Sequence, residues 1–169
     1  NCSGGAPVIT FVGDVSTAGS CVNRFTVVRT YRATDVCGNS STCTQLITIF
    51  DNTPPTITFC PPNITIQCTA STAPGGTNGT ATATDNCAGV VTITSTDVTV
   101  AGACPQEYTI TRTWRATDVC GNSSTCLQTI FVDDSTPPVI TFCPPNITIQ
   151  CTASTAPAAT GTATATDNC

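Results

Sequence analysis

The chain contains no histidine, lysine or methionine, and its only cations are Arg24, Arg29, Arg32, Arg112 and Arg115. Without His or Lys there is neither a Ser-His base nor a Ser-Lys dyad. Glu107 is the only glutamate, so paired-carboxylate chemistry would need two aspartates to meet by chance, and catalysis is not expected. Zinc is not expected either, because His and Cys-x2-Cys pairs are both missing. A net charge of −5 with no basic cluster excludes nucleic acid and anionic lipid surfaces as partners. No apolar run approaches the roughly 20 residues of a membrane span. Asn1 starts in mid-pattern without a signal peptide's charged and apolar regions, so a secretion signal is expected elsewhere.

What the chain does have is 13 cysteines and 37 threonines in 169 residues. That cysteine density reads as a disulfide scaffold in an oxidising compartment, hence an extracellular or cell-surface location. Self-comparison sets the organisation. The segment Thr53 to Asn63, TPPTITFCPPN, recurs at Thr136 to Asn146 with Val139 for Thr56, and ATDVCGNSSTC at Ala33 to Cys43 recurs at Ala116 to Cys126. Both offsets are 83 residues. ATATDNC at Ala81 to Cys87 returns at Ala163 to Cys169, so the chain is built from tandem modules. Pro-Pro pairs stop a strand ladder, which places the module limits at Asp51 to Pro55 and Asp133 to Pro138. Residues 53–134 form one complete module, residues 1–51 the C-terminal part of another, and residues 135–169 the N-terminal strands of a further one. A subunit whose tail completes the head of the next copy would have this arrangement, as would an excerpt of a longer array.

Tyr108, Ile110, Trp114 and Ala116 alternate with Thr109, Thr111, Thr113, Arg115 and Thr117, the period of a half-buried strand. Thr56–Phe59, Ile64–Gln67, Thr80–Thr84, Val90–Thr94 and Leu127–Val132 are further strands, rich in β-branched side chains. No segment has helical spacing, so the expected fold is all-β. TPPxITFCPPNIT, TATDNC, and ATDVCGNSSTC leading into TIFVDD resemble the hyalin-repeat type of immunoglobulin-like module. The resemblance covers the whole chain and implies disulfide-stapled β-sandwiches used in extracellular adhesion. Cys68 and Cys120 are a cysteine pair beyond the four of simpler modules of this type.

Cys68 continues the Ile64/Ile66 face and Cys120 the Trp114/Ala116 face, so a bridge between them beside the Trp is expected, resembling the immunoglobulin bridge. Cys60, ending the first strand, would then meet Cys126 at the start of the last, and Cys87 would meet Cys104. By the same scheme Cys2 pairs with Cys21. Cys37 and Cys43 would reach the repeat equivalents Cys151 and Cys143 of a neighbouring copy, with Cys169 redundant; a local Cys37–Cys43 bridge competes with this.

Acceptor sequons for N-linked glycans occur at Asn1, Asn39, Asn63, Asn78, Asn122 and Asn146. Asp51, Asp133 and Asp134 sit at module junctions and are calcium candidates, no resident cofactor being otherwise expected. Asp35 and Asp118 are expected to brace tight Gly-Asn turns. Arg112 is expected to face inward beside Trp114, stacked on an aromatic ring with a nearby Asp, as a structural residue. Two functions follow: a structural filament of copies joined head to tail, or an adhesin stalk whose loops hold a cell-surface glycan or protein.

Overall fold

The computed structural model describes residues 5–169, and it is mostly β. In chain order the strands are β1 (Val8–Cys21), β2 (Arg24–Thr34), β3 (Ser40–Ile49), β4 (Thr56–Phe59), β5 (Ile64–Gln67), β6 (Thr82–Thr84), β7 (Thr92–Ala101), β8 (Tyr108–Thr117), β9 (Ser123–Asp133), β10 (Val139–Phe142) and β11 (Thr164–Thr166). They form a three-stranded sheet β1-β2-β3, a four-stranded sheet β5-β9-β8-β7, and the pairs β4-β6 and β10-β11. β4 and β5 have the limits read from the sequence, whereas β7 and β9 run longer. The contacts divide the chain into two compact units: residues up to Pro61 with 79–96 and 113–127, and residues 62–78 with 97–112 and 128–169.

In the first unit, β1, β2 and β3 make an antiparallel meander, with Val28 opposite both Val15 and Leu46. The turn from β2 to β3 is built by one side chain. Asp35 accepts backbone N–H bonds from Cys37 (2.9 Å) and Asn39 (2.8 Å) on Oδ1, and the Asn39 amide (2.9 Å) on Oδ2. Gly38, with φ of +87°, supplies the left-handed residue that closes the turn. Asp118 repeats this in the turn from β8 to β9, accepting from Cys120, Asn122 and the Asn122 amide, with Gly121 at +86°. Trp114, Ala116 and Ala81 are buried in the same unit.

In the second unit, β5 lies parallel to the end of β9, Ile64 facing Ile130 and Gln67 facing Asp133. Ile110, Ile130 and Val132 form its core, with Ile64, Ile66, Cys68 and Tyr108 packed against them. The alternation expected in β8 is present, and every even residue from Ile110 to Ala116 is buried. Arg112 is one of them. Its guanidinium pairs with Asp97 (2.8 Å on each oxygen) and donates to the Thr72 carbonyl (2.6 Å), the inward, aspartate-paired placement expected.

A short helix, α1 (Pro157–Thr160), departs from the expected absence of helix. The earlier copy of this segment also turns helically, as a 3-10 turn at Gly76–Asn78, but there Gly75 and Gly76 have φ of +92° and +54°, values unfavourable for Ala158 and Ala159, which lie in an α-helical turn.

Candidate functional site

Pairing in the two larger sheets differs at one edge. β9 has β8 on one side and β5 on the other, whereas β3, its counterpart 83 residues earlier, pairs with β2 alone among the described residues. The counterpart of β5 is Ile147–Gln150, which is not part of any strand, and Ile147 and Ile149 are exposed. β10 and β11, the counterparts of β4 and β6, do pair, in the same register. The first unit thus has an open strand edge, with Leu46 66 % exposed on it, and the second has the segment that would fit such an edge.

The cysteines follow a different connectivity from the expected one. Cys60 is joined to Cys126 as anticipated. Cys68 and Cys120 are not joined: Cys68 bonds to Cys169 and Cys120 to Cys21. Cys68 does pack with Ile64 and Ile66 against the core, but its face says nothing of which end of β9 it reaches. The parallel pairing brings Cys68, whose N–H donates to the Asp133 carbonyl at 3.0 Å, to the finish of β9, whereas Cys120 sits in the turn before β9 begins. An 11-residue strand at roughly 3.3 Å per residue separates the two. Bonding of Cys21 to Cys120 also replaces the expected Cys2–Cys21 bridge, whose other member, Cys2, lies outside the described residues. Cys87 and Cys104 are not bonded to each other; both are free. Cys87 is half-buried beside Asp51 and Asp85, and Cys104 lies in the β7–β8 turn beside Glu107. Burial, then the charge of Asp51, pushes the Cys87 thiol up, and a hydrogen bond with Glu107 does so for Cys104. Cys37 is disulfide-bonded while Cys43 and Cys151 are free, which excludes both the local Cys37–Cys43 bridge and the expected link of Cys37 to Cys151. Cys43, Cys143 and Cys151 are exposed thiols.

The sequon asparagines sort by what their amides already do. An N-linked asparagine keeps one amide hydrogen. Asn39 is exposed and uses a single bond, to Asp35, so that bond survives glycan attachment. Asn63 is exposed and engages Thr129 N–H through Oδ1 (2.7 Å), a bond that does not use its nitrogen; Asn146 is exposed too. Asn122 is half-buried and donates twice, to Asp118 (2.7 Å) and to the Asp51 carbonyl (3.3 Å). Asn78 is 2 % exposed and bridges the Ser71 and Ala73 carbonyls, so its amide is a structural bracket with no room for a sugar. Asn1 lies outside the described residues.

Of the junction aspartates, Asp51 is buried and Asp133 and Asp134 are half-buried. Asp51 and Asp134 hold equivalent turns, accepting from Thr53 N and Thr136 N at 3.2 Å each. Asp51, Asp85 and Cys87 bring one ligand atom each within 4.8 Å of one another. Calcium takes roughly six to eight oxygens, and two carboxylates beside a thiol do not approach that set. Asp133 is placed by its backbone, through the Cys68 contact.

Arg24 was not legible as a structural residue. Its guanidinium donates twice to the Asp51 carbonyl (2.9 and 2.7 Å), reaches Asn122 Oδ1 (3.2 Å) and lies over the Phe50 ring at 4.6 Å. The equivalent position of the next repeat is Glu107, so the repeat pattern carried no signal for it. No family model and no curated protein matches the chain.

Proposed function

We propose that the protein is the structural component of an extracellular, glycosylated fibre in which immunoglobulin-like repeats complete one another head to tail. The observation that carries this reading is the mismatch between the open edge of β3 and the unpaired Ile147–Gln150. The pairing of β5 with β9 supplies the register. Transferred by 83 residues, Ile147 of one copy faces Ile47 of the next, Thr148 faces Thr48, Ile149 faces Ile49 and Gln150 faces Phe50. Strand addition of this kind satisfies a row of backbone groups and covers the alternate side chains of the edge.

The side-chain contacts transfer as well. Ser124 donates to the Pro55 carbonyl, Gln128 to that of Pro62, and Thr129 N–H to Asn63 Oδ1. Their counterparts Ser41, Gln45 and Leu46 are exposed, and the matching partners Pro138, Pro145 and Asn146 are exposed at the other end of the chain. The resemblance to hyalin-type modules, the disulfides and the exposure of Asn39, Asn63 and Asn146 support an extracellular setting with sugars on the fibre's surface.

Sedimentation of the purified chain across a concentration series tests the proposal. Association of the native chain, abolished by Ile149→Pro, is expected, because proline removes the N–H that the added strand would donate. Monomers at every concentration would overturn it.

A further inference from the structure

We infer that neighbouring copies are also joined covalently, by Cys143 of one copy to Cys43 of the next and by Cys151 of one copy to Cys87 of the next. The inference rests on the head-to-tail reading and adds to it which thiols meet.

The observed bonds, written in repeat terms, supply the rule. Cys60–Cys126 joins the first strand of a repeat to the last strand of the same repeat. The counterparts are Cys143 and Cys43, both exposed and both free, and they fall in different partial repeats. Cys68–Cys169 joins a repeat to the one after it, because Cys169 closes the second TATDNC segment as Cys87 closes the first. The counterpart of Cys68 is Cys151, again free and exposed.

The surroundings of Cys87 reproduce those of Cys169. Cys87 lies with Asp51 and Cys169 with Asp134, and these aspartates are 83 residues apart in the pattern. Asn86 donates to Cys87 Sγ at 3.3 Å, and Asn168 to Cys169 Sγ at 3.0 Å. What Cys169 has and Cys87 lacks is the Cys68 sulfur. Strand addition of Ile147–Gln150 carries Cys151 on the residue after Gln150, as β5 carries Cys68 after Gln67. Four of the free thiols are thereby assigned. Cys104 is not, since its counterpart partner in a following copy would be Cys37, which is already disulfide-bonded.

Each bond forms by two exchanges with a small-molecule disulfide such as glutathione disulfide. One thiolate attacks it, giving a mixed disulfide and one released thiol. The facing thiolate then displaces the second, so two protons and two electrons pass from the cysteine pair to one glutathione disulfide, which leaves as two glutathione thiols.

The test uses the 169-residue chain, unlabelled and ¹⁵N-labelled in equal amounts, assembled in glutathione redox buffer. Sedimented material is alkylated, digested with pepsin and mapped without reduction. Cys43–Cys143 and Cys87–Cys151 peptides containing both isotopes are expected, and Cys143→Ser is expected to remove the first while the material still sediments. Sedimented chains with these four cysteines alkylated, paired otherwise or linked only within one isotope would overturn the covalent junction and leave the array standing. Chains that never sediment, reduced or oxidised, would overturn the array reading and the junction with it.

Discussion

Strands β1, β2 and β3 and strands β7, β8 and β9 carry one sequence pattern at an offset of 83 residues, and β1 and β7 are both largely exposed, yet β8 and β9 contain buried residues where β2 and β3 have none. Ile130 and Gln128 are completely buried, whereas their counterparts are half-buried (Ile47) and exposed (Gln45). The clearest pair is ionic. Arg29 meets Asp14 at 2.9 Å and Arg112 meets Asp97 at 2.8 Å, but the arginine side chain is 35 % exposed in the first case and 1 % in the second. Strand pairing therefore fixes the geometry of the ion pair, and the opening segment of the repeat, which supplies Thr72 to Arg112 and Asn78 to Gln128, fixes its burial. A three-stranded meander by itself positions these side chains without enclosing them.

The largest contrast is expected from truncating the counterpart isoleucines. Ile130→Ala should cost about 3 kcal/mol in chemical denaturation through lost burial and a residual cavity, and Ile47→Ala less than about 1 kcal/mol in the unassembled chain. If association covers β3 as proposed, Ile47→Ala should weaken assembly while Ile130→Ala lowers the stability of the monomer. Next come the aspartates. Asp97→Asn leaves a buried guanidinium short of its counter-charge and should cost about 2 kcal/mol, less than for a fully enclosed pair because Asp97 is itself 37 % exposed. Asp14→Asn should leave the denaturation midpoint where it is.

Acid should reveal the same difference. The hydrogen bonds from Arg112 hold the Asp97 carboxyl below its ordinary value, so its contribution is complete above about pH 4 and is lost as the pH falls through the lowered value. The acid unfolding curve of the native chain should carry this component, and that of Asp97→Asn should lack it.

How much of this was legible in the sequence varies by element. The alternation in β8, the limits of β4 and β5, and the Asp35 and Asp118 turns are local, and period two, Pro pairs and Asp-to-Gly-Asn spacing encode them directly. The Cys60–Cys126 bond also followed from strand order. The partner of Cys68 did not, because side-chain alternation is indifferent to whether β5 runs parallel or antiparallel to β9, and that choice decides which end of β9 Cys68 reaches. The burial of Asn78 was hidden for a related reason: a sequon reports three residues, whereas its amide is held by the Ser71 and Ala73 carbonyls of the preceding loop.

The smallest contrast lies in glycan occupancy at the counterpart sequons. Material from a glycosylating host should carry more sugar on Asn39 than on Asn122, and none on Asn78, when glycopeptides are quantified by mass spectrometry. Equal occupancy of Asn39 and Asn122 would mean that the Asp51 contact does not guard the Asn122 amide.

Amide hydrogen exchange, compared between dilute and associated chains, decides whether a second copy completes the β3 edge. Leu46 to Phe50 and Ile147 to Gln150 are expected to become protected together on association, while the already covered Ile130 to Asp133 hardly change. Association that leaves both segments exchanging as fast as in the dilute chain would contradict that completion.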